Sequence, residues 1–252
     1  MRERGSPDGT IVPDHNAAAK TVDRTAELPV IGIDGCRGGW VTVELREPDH
    51  VVAEHVTDLQ PVVDRLRAGR LGAVAIDIPI GLLDAQPRDC DVAARRVLGP
   101  RRSSVFPAPV RDTLDAVDYQ DACRRSRDCS GKALSVQAFN LIPKITEVDR
   151  LVEPSDQDRL VEAHPECAFA RLLGRPLDAA KRTAAGAAAR EQLLRGWNPA
   201  LGAVIDSPHG LPPIDLLDAA ALVVTAGHVV AGTAHRLGSQ RDRRGLLAQI
   251  TY

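Results

Sequence analysis

The chain has 252 residues, 44% hydrophobic and 26% charged, and its 32 Lys+Arg against 34 Asp+Glu leave a formal net charge of -2. This is the balance expected of a soluble globular chain, and it excludes wholesale disorder, collagen-like repeats and a membrane bundle. With 3% aromatic residues and no basic excess, neither a base-stacking platform nor a broad cationic face for duplex phosphates is on offer. A nucleic-acid role has to rest on local patches or on a metal.

Residues 1–27 are polar, carry Pro and Gly and lack any apolar central stretch. They predict a disordered N-terminal tail rather than a secretory signal or a membrane anchor. The five cysteines, at 36, 90, 123, 129 and 167, form no CxxC pair, and an odd count without a signal reads as reduced thiols in a cytoplasm. Nothing points to a membrane, and nothing fixes an oligomeric state.

A single domain is expected over 28–252. LPVIGIDG, from Leu28 to Gly35, is a nearly continuous apolar run that suits a strand buried on both faces. GCRGG is a turn, Trp40–Leu45 a second strand and Val51–Val56 a third. Asp58 can cap a helix with the apolar stripe Leu59, Val62, Val63 and Leu66, which Gly69 ends. Ala73–Ile78 is a strand stopped by Pro79. Strand, strand, strand, helix, strand predicts an antiparallel hairpin joined to a parallel crossover.

From about 84 to 158 the rhythm changes to helical pieces, Asp89–Leu98, Tyr119–Arg127 and Ser135–Val152, separated by Pro, Gly and Ser. Basic residues gather there, and the stretch offers no long apolar core, so it reads as a helical insertion. Arg159–His164 returns as a strand, and Pro165 opens a helix that runs to Leu173, before Gly174. An Ala-rich helix covers about 183–195, an apolar helix runs from Ile214 to about Val230, and 245–252 supplies a last strand.

The informative residues are acids set among apolar ones. Asp34 closes VIGID, and Asp77 sits within AVAIDIPIG. A buried carboxylate is costly unless it is paired, hydrogen-bonded or metal-bound. Acceptance of backbone N–H bonds at a strand end is the alternative for each. Asp215 and Asp218, three apart, share a face of DLLDAAALVVTA. Asp215 can serve the helix dipole alone. Asp218 precedes Ala219–Val224 and needs a partner, yet its helix has no Lys or Arg within one turn. VEAHPE adds Glu162, late in a strand, and Glu166, in a first helical turn where dipole capping is the simpler role. Convergent carboxylates suit hard cations such as Mg²⁺ or Mn²⁺, which cancel their repulsion and activate water for phosphodiester cleavage.

IGIDGCRGGW, AIDIPIGL, RDCDVAARRVLGPRRSSVFPAP, LSVQAFNLIPKITEVD, VEAHPE, DLLDAAALVVTA and GLLAQITY occur in that order. Together they resemble an uncharacterised bacterial and archaeal family, a domain of unknown function (DUF429), whose members are predicted RNase H-like nucleases. The resemblance implies an RNase H-like mixed sheet, its first three strands antiparallel, with helices on both faces. It further implies a metal site of Asp34, Asp77 and Asp218, with Asp215 and either Glu162, the preferred one, or Glu166 completing the catalytic acids. Arg101, Ser103, Ser104, Gln137 and Lys144 fall in its recurring motifs and would hold substrate, with Arg101, Arg102 and Lys144 on phosphates. A solvated basic face is the plainer reading of these. The expected activity is metal-dependent phosphodiester hydrolysis of nucleic acid, with DNA and RNA not distinguished. Two other readings stand beside it. GIDGCRGG resembles the first phosphate loop of actin-like and sugar-kinase phosphotransferases, which need two cores, and the same fold can bind nucleic acid or protein without cutting.

Overall fold

The computed structural model describes residues 28–47, 49–85 and 87–252. The expected N-terminal tail therefore lies outside the described residues. Val30–Cys36 forms β1, the buried strand its apolar run predicts. β1 is central because it has a partner on each side. Gly39–Glu47 (β2) pairs with it antiparallel, and Ala73–Ile76 (β4) pairs parallel. His50–Val56 (β3) lies antiparallel on β2, so the first three strands are antiparallel as expected. Leu160–Ala163 (β5) runs parallel to β4, and Leu247–Thr251 (β7) runs parallel to β5. Arg236–Arg241 (β6) closes the sheet antiparallel to β7, giving the order β3-β2-β1-β4-β5-β7-β6.

Alternation along the strands builds two apolar layers. Ile31, Ile33, Val74, Ile76 and Leu160 pack on one face with helices α1 (Gln60–Arg67) and α4 (Val136–Leu151). Val30, Ala73, Ala75, Val161 and Ala163 face the long helix α8 (Pro213–Val230), flanked by α5 (Pro165–Leu173), α6 (Ala184–Trp197) and α7 (Leu201–Asp206). Each fully buried Val, Leu or Ile contributes roughly 1.5–3 kcal/mol. The 18 residues of α8, mean hydropathy 1.5, are long and apolar enough to cross a membrane by composition, but here Leu216–Ala226 are buried as the core helix. Gly32 lets α8 sit close: a Cβ there would overlap the Ala219 carbonyl and the Val223 amide.

The stretch 84–158, read from the sequence as a helical insertion, packs partly on the main layers and partly on itself. Helix α2 (Asp89–Leu98) packs Cys90, Ala94 and Leu98 against Ala170, Ala248 and Ile250. Helix α3 (Tyr119–Ser130) and the start of α4 share a small cluster of their own, Ala122, Cys123, Leu134, Ala138 and Ile142. Further along α4, Ile145 and Val148 join the main sheet layer. Arg111 is no part of a solvated basic face: it is buried and ion-paired to Asp149 and Asp242, which ties this stretch to the β6–β7 hairpin. All five cysteines are free.

Candidate active site

The sheet register brings the first two acids together. Ile33 and Ile76 are partners on parallel strands, and the Asp77 N–H donates to the Ile33 carbonyl at 3.0 Å. Asp34 and Asp77 thus stand side by side where β1 and β4 end, the edge at which α/β sheets present ligand sites. Along β1, residues 30, 32 and 34 face α8. Gly32 lies under Ala219–Val223. Two residues onward, about 6.6 Å along the strand, Asp34 reaches the preceding turn of α8, which carries Asp215 and Asp218.

The electrostatics record this convergence. Burial pushes the Asp34 carboxyl well above the usual carboxylate range, and the charges of Asp77, Asp218 and Asp215 push it further. Asp77 is raised by burial and by Asp218, and Asp215 by burial and by Asp218. Asp218 is raised by burial against the opposing pull of a lysine, Lys181, whose Nζ donates to its Oδ2 at 2.7 Å. Asp34 is buried and its Oδ1 accepts the Gly35 N–H at 2.8 Å, so the turn bond expected as an alternative is present alongside the cluster.

Glu162 is not brought into this group. It alternates to the opposite face of β5, where its Oε1 accepts from buried Arg88 at 2.5 Å and its Oε2 from the Ile80 N–H at 2.7 Å. Burial lifts its carboxyl to about 7 against the pull of Arg88. Its structural task is to pin the loop that follows Asp77. Glu166 comes nearer: its charge acts on Asp218, and its side chain pairs with buried Arg190 and lies 4.0 Å from Arg101. Capping at α5 falls instead to His164, whose Nδ1 accepts the Glu166 N–H at 3.2 Å.

The substrate-binding candidates divide. Arg101 lies on a 3-10 turn, Gly99–Ser104, with its Nε buried and unpartnered. Ser104 is spent locally, its Oγ donating to the Arg101 carbonyl at 2.7 Å and its own carbonyl meeting His164 Nε2 at 3.1 Å. Ser103 and Gln137 are exposed. Lys144 donates to the Gly39 carbonyl and lies 4.2 Å over the Trp40 ring, and its charge reaches Asp215.

Sequence reasoning missed Lys181, the partner that Asp218 required. It comes from the segment between α5 and α6, far from α8 in sequence. A signal existed: the chain has only four lysines, at 20, 132, 144 and 181, among 32 Lys+Arg. Arg190, a buried cation in the Ala-rich α6, was missed with it.

Among the described residues no group of three or more His, Cys, Asp or Glu side chains is placed to hold a metal ion. The acids gather around Lys181 instead, whose charge acts on Asp218, Asp34 and Asp77. The donor set is nevertheless all-oxygen and largely buried, its carboxyls raised chiefly by burial, which is the chemistry a hard divalent cation takes.

The family described as protein of unknown function (DUF429) matches residues 32–243. The chain belongs to that family. The matched span runs from β1 through β6 and contains every acid discussed above. No curated protein and no solved structure matches the chain.

Proposed function

We propose that this DUF429 chain is an RNase H-like, divalent-metal-dependent nuclease that hydrolyses phosphodiester bonds of nucleic acid. One observation carries the reading. Asp34 and Asp77 stand side by side where β1 and β4 end, and Asp215 and Asp218, from the first turns of α8, lie close enough that their charges, with that of Asp77, add to burial in raising Asp34. Buried like charges destabilise a fold unless cations neutralise them, and Lys181 bonds directly to Asp218 alone. The mixed sheet and the order of acids, first strand, fourth strand, last long helix, agree with the RNase H-like pattern.

In this reading Asp34, Asp77 and Asp218 hold Mg²⁺ or Mn²⁺, and Asp215, half-buried one turn earlier on α8, supports them. When bound, the ion supplies Lewis-acid activation of water and charge stabilisation at the phosphoryl group. Arg101, near Glu166 with an unpartnered Nε, and Lys144, beside Asp215, are the cations placed to orient substrate phosphates.

A panel of single-stranded, duplex and branched DNA and of RNA, incubated with Mg²⁺ or Mn²⁺, tests the proposal. Cleavage of at least one substrate is expected, abolished by chelator and by Asp34→Asn. Inertness toward all of them with both metals contradicts it.

A further inference from the structure

Lys181 combines a fixed backbone with a partly exposed side chain. The segment ahead of α6 is clamped at successive carbonyls. Arg190 Nη1 donates to the Ala179 carbonyl at 3.3 Å, and the Thr183 N–H and Oγ1 donate to the Ala180 carbonyl at 3.0 and 2.8 Å. Gly186 packs on that same carbonyl with no space for a Cβ. Arg190 is itself anchored on Glu166. The Lys181 side chain, by contrast, is 43% exposed, while the Asp218 carboxylate it covers is 4% exposed. A lysine is a point charge on a flexible four-carbon stem, so its head can leave a partner without disturbing the mount.

We propose that Lys181 is the displaceable counter-ion of the carboxylate cluster, holding Asp218 when no divalent cation is bound and giving it up when one binds. This rests on the metal site proposed above. An ammonium 2.7 Å from Oδ2 occupies the coordination side of that oxygen, and it repels a dication approaching the same carboxylate. The dication carries twice the charge and engages Asp34 and Asp77 as well, so it wins Asp218, and the exposed ammonium moves into water at small cost. Lys181 thereby keeps the acids partnered in the metal-free protein and sets metal affinity by competition. The pair of Glu166 and Arg190 acts through it, as positioning residues.

Calorimetric titration of the full chain with Mn²⁺ alone tests this, using wild type, Lys181→Met and Lys181→Arg. Lys181→Met, which keeps the stem and removes the charge, is expected to bind Mn²⁺ on the order of tenfold more tightly. Lys181→Arg should stay within about threefold of wild type. An unchanged or weaker affinity in Lys181→Met overturns the displacement while leaving the metal site standing. Absence of Mn²⁺ uptake by both wild type and Lys181→Met removes the metal site and the displacement together. The wild type alone supplies a second readout, independent of any variant's folding. The ¹⁵N resonance of the Lys181 ammonium should shift on saturation with Mg²⁺, and a resonance that stays put overturns the proposal.

Discussion

Asp34 carries an electrostatic burden, because burial and three neighbouring carboxylates all oppose its charge. A folded-state pKa raised above the unfolded value gives stability that is full below the unfolded pKa and is lost as pH rises through the folded one. Metal-free protein should therefore pay for Asp34 at neutral pH and not near pH 4, an ordinary carboxylate pKa. Asp34→Asn in chelator is expected to melt about 2–4 °C above wild type at pH 7, roughly 1 kcal/mol, with the gap closing toward pH 4. Melting curves across pH check this. The same substitution should lower nuclease activity at least about a hundredfold. Glu162 behaves oppositely. Glu162→Gln leaves buried Arg88 its ion pair with Asp91 but removes the one with Glu162, and should cost about 1–3 kcal/mol in denaturant titration, with kcat per folded molecule within a few-fold of wild type. A collapse of kcat at native stability would return Glu162 to the active site. At this scale the sequence exposed the acids through their apolar surroundings. It hid their partners, because Lys181 and Arg88 reach Asp218 and Glu162 from segments remote in sequence.

At the scale of elements, the site is set by how closely α8 lies on β1. Gly32 permits that approach, with Ala219–Ala221 contributing small side chains. Gly32→Ala drives a Cβ into helix backbone that has no rotamer to yield, and about 3 kcal/mol of destabilisation is expected. The shift should also separate Asp34 from Asp218, so Mn²⁺ affinity measured on the folded variant should fall too. Unchanged affinity would mean that the acids do not depend on this contact. The strands with buried apolar runs, β1, β4 and β5, were legible, as were α5 from Pro165 and Gly174 and α8 from its unbroken hydrophobicity. β6 was not legible. Its sequence, RLGSQR, lacks apolar alternation because it is an edge strand bonded on one side only, with a register shift between Leu237 and Gln240. The short α7 carries too few residues for a period. At α1 the N-cap is Leu59 rather than the expected Asp58, although Asp58 accepts the Gln60 N–H at 2.8 Å.

For the whole molecule, the near-zero net charge conceals an uneven distribution of charge. Acids concentrate at one end of the sheet beneath α8, while many arginines of the 84–158 stretch are consumed in ion pairs, among them Arg88, Arg111, Arg124 and Arg125. Far fewer cations than the sequence advertises remain for phosphates. A protein arranged this way should gain stability from its metal by mass action, by about 2.7 kcal/mol at a free concentration a hundredfold above Kd. A rise in Tm with Mg²⁺ or Mn²⁺, absent in Asp218→Asn, is the expected outcome. The most direct measurement is the anomalous difference map of a crystal soaked in Mn²⁺. The account predicts a peak bounded by the carboxylates of Asp34, Asp77 and Asp218, with the Lys181 ammonium withdrawn from Asp218. A map with no peak there, and Lys181 still seated on Asp218, would contradict it.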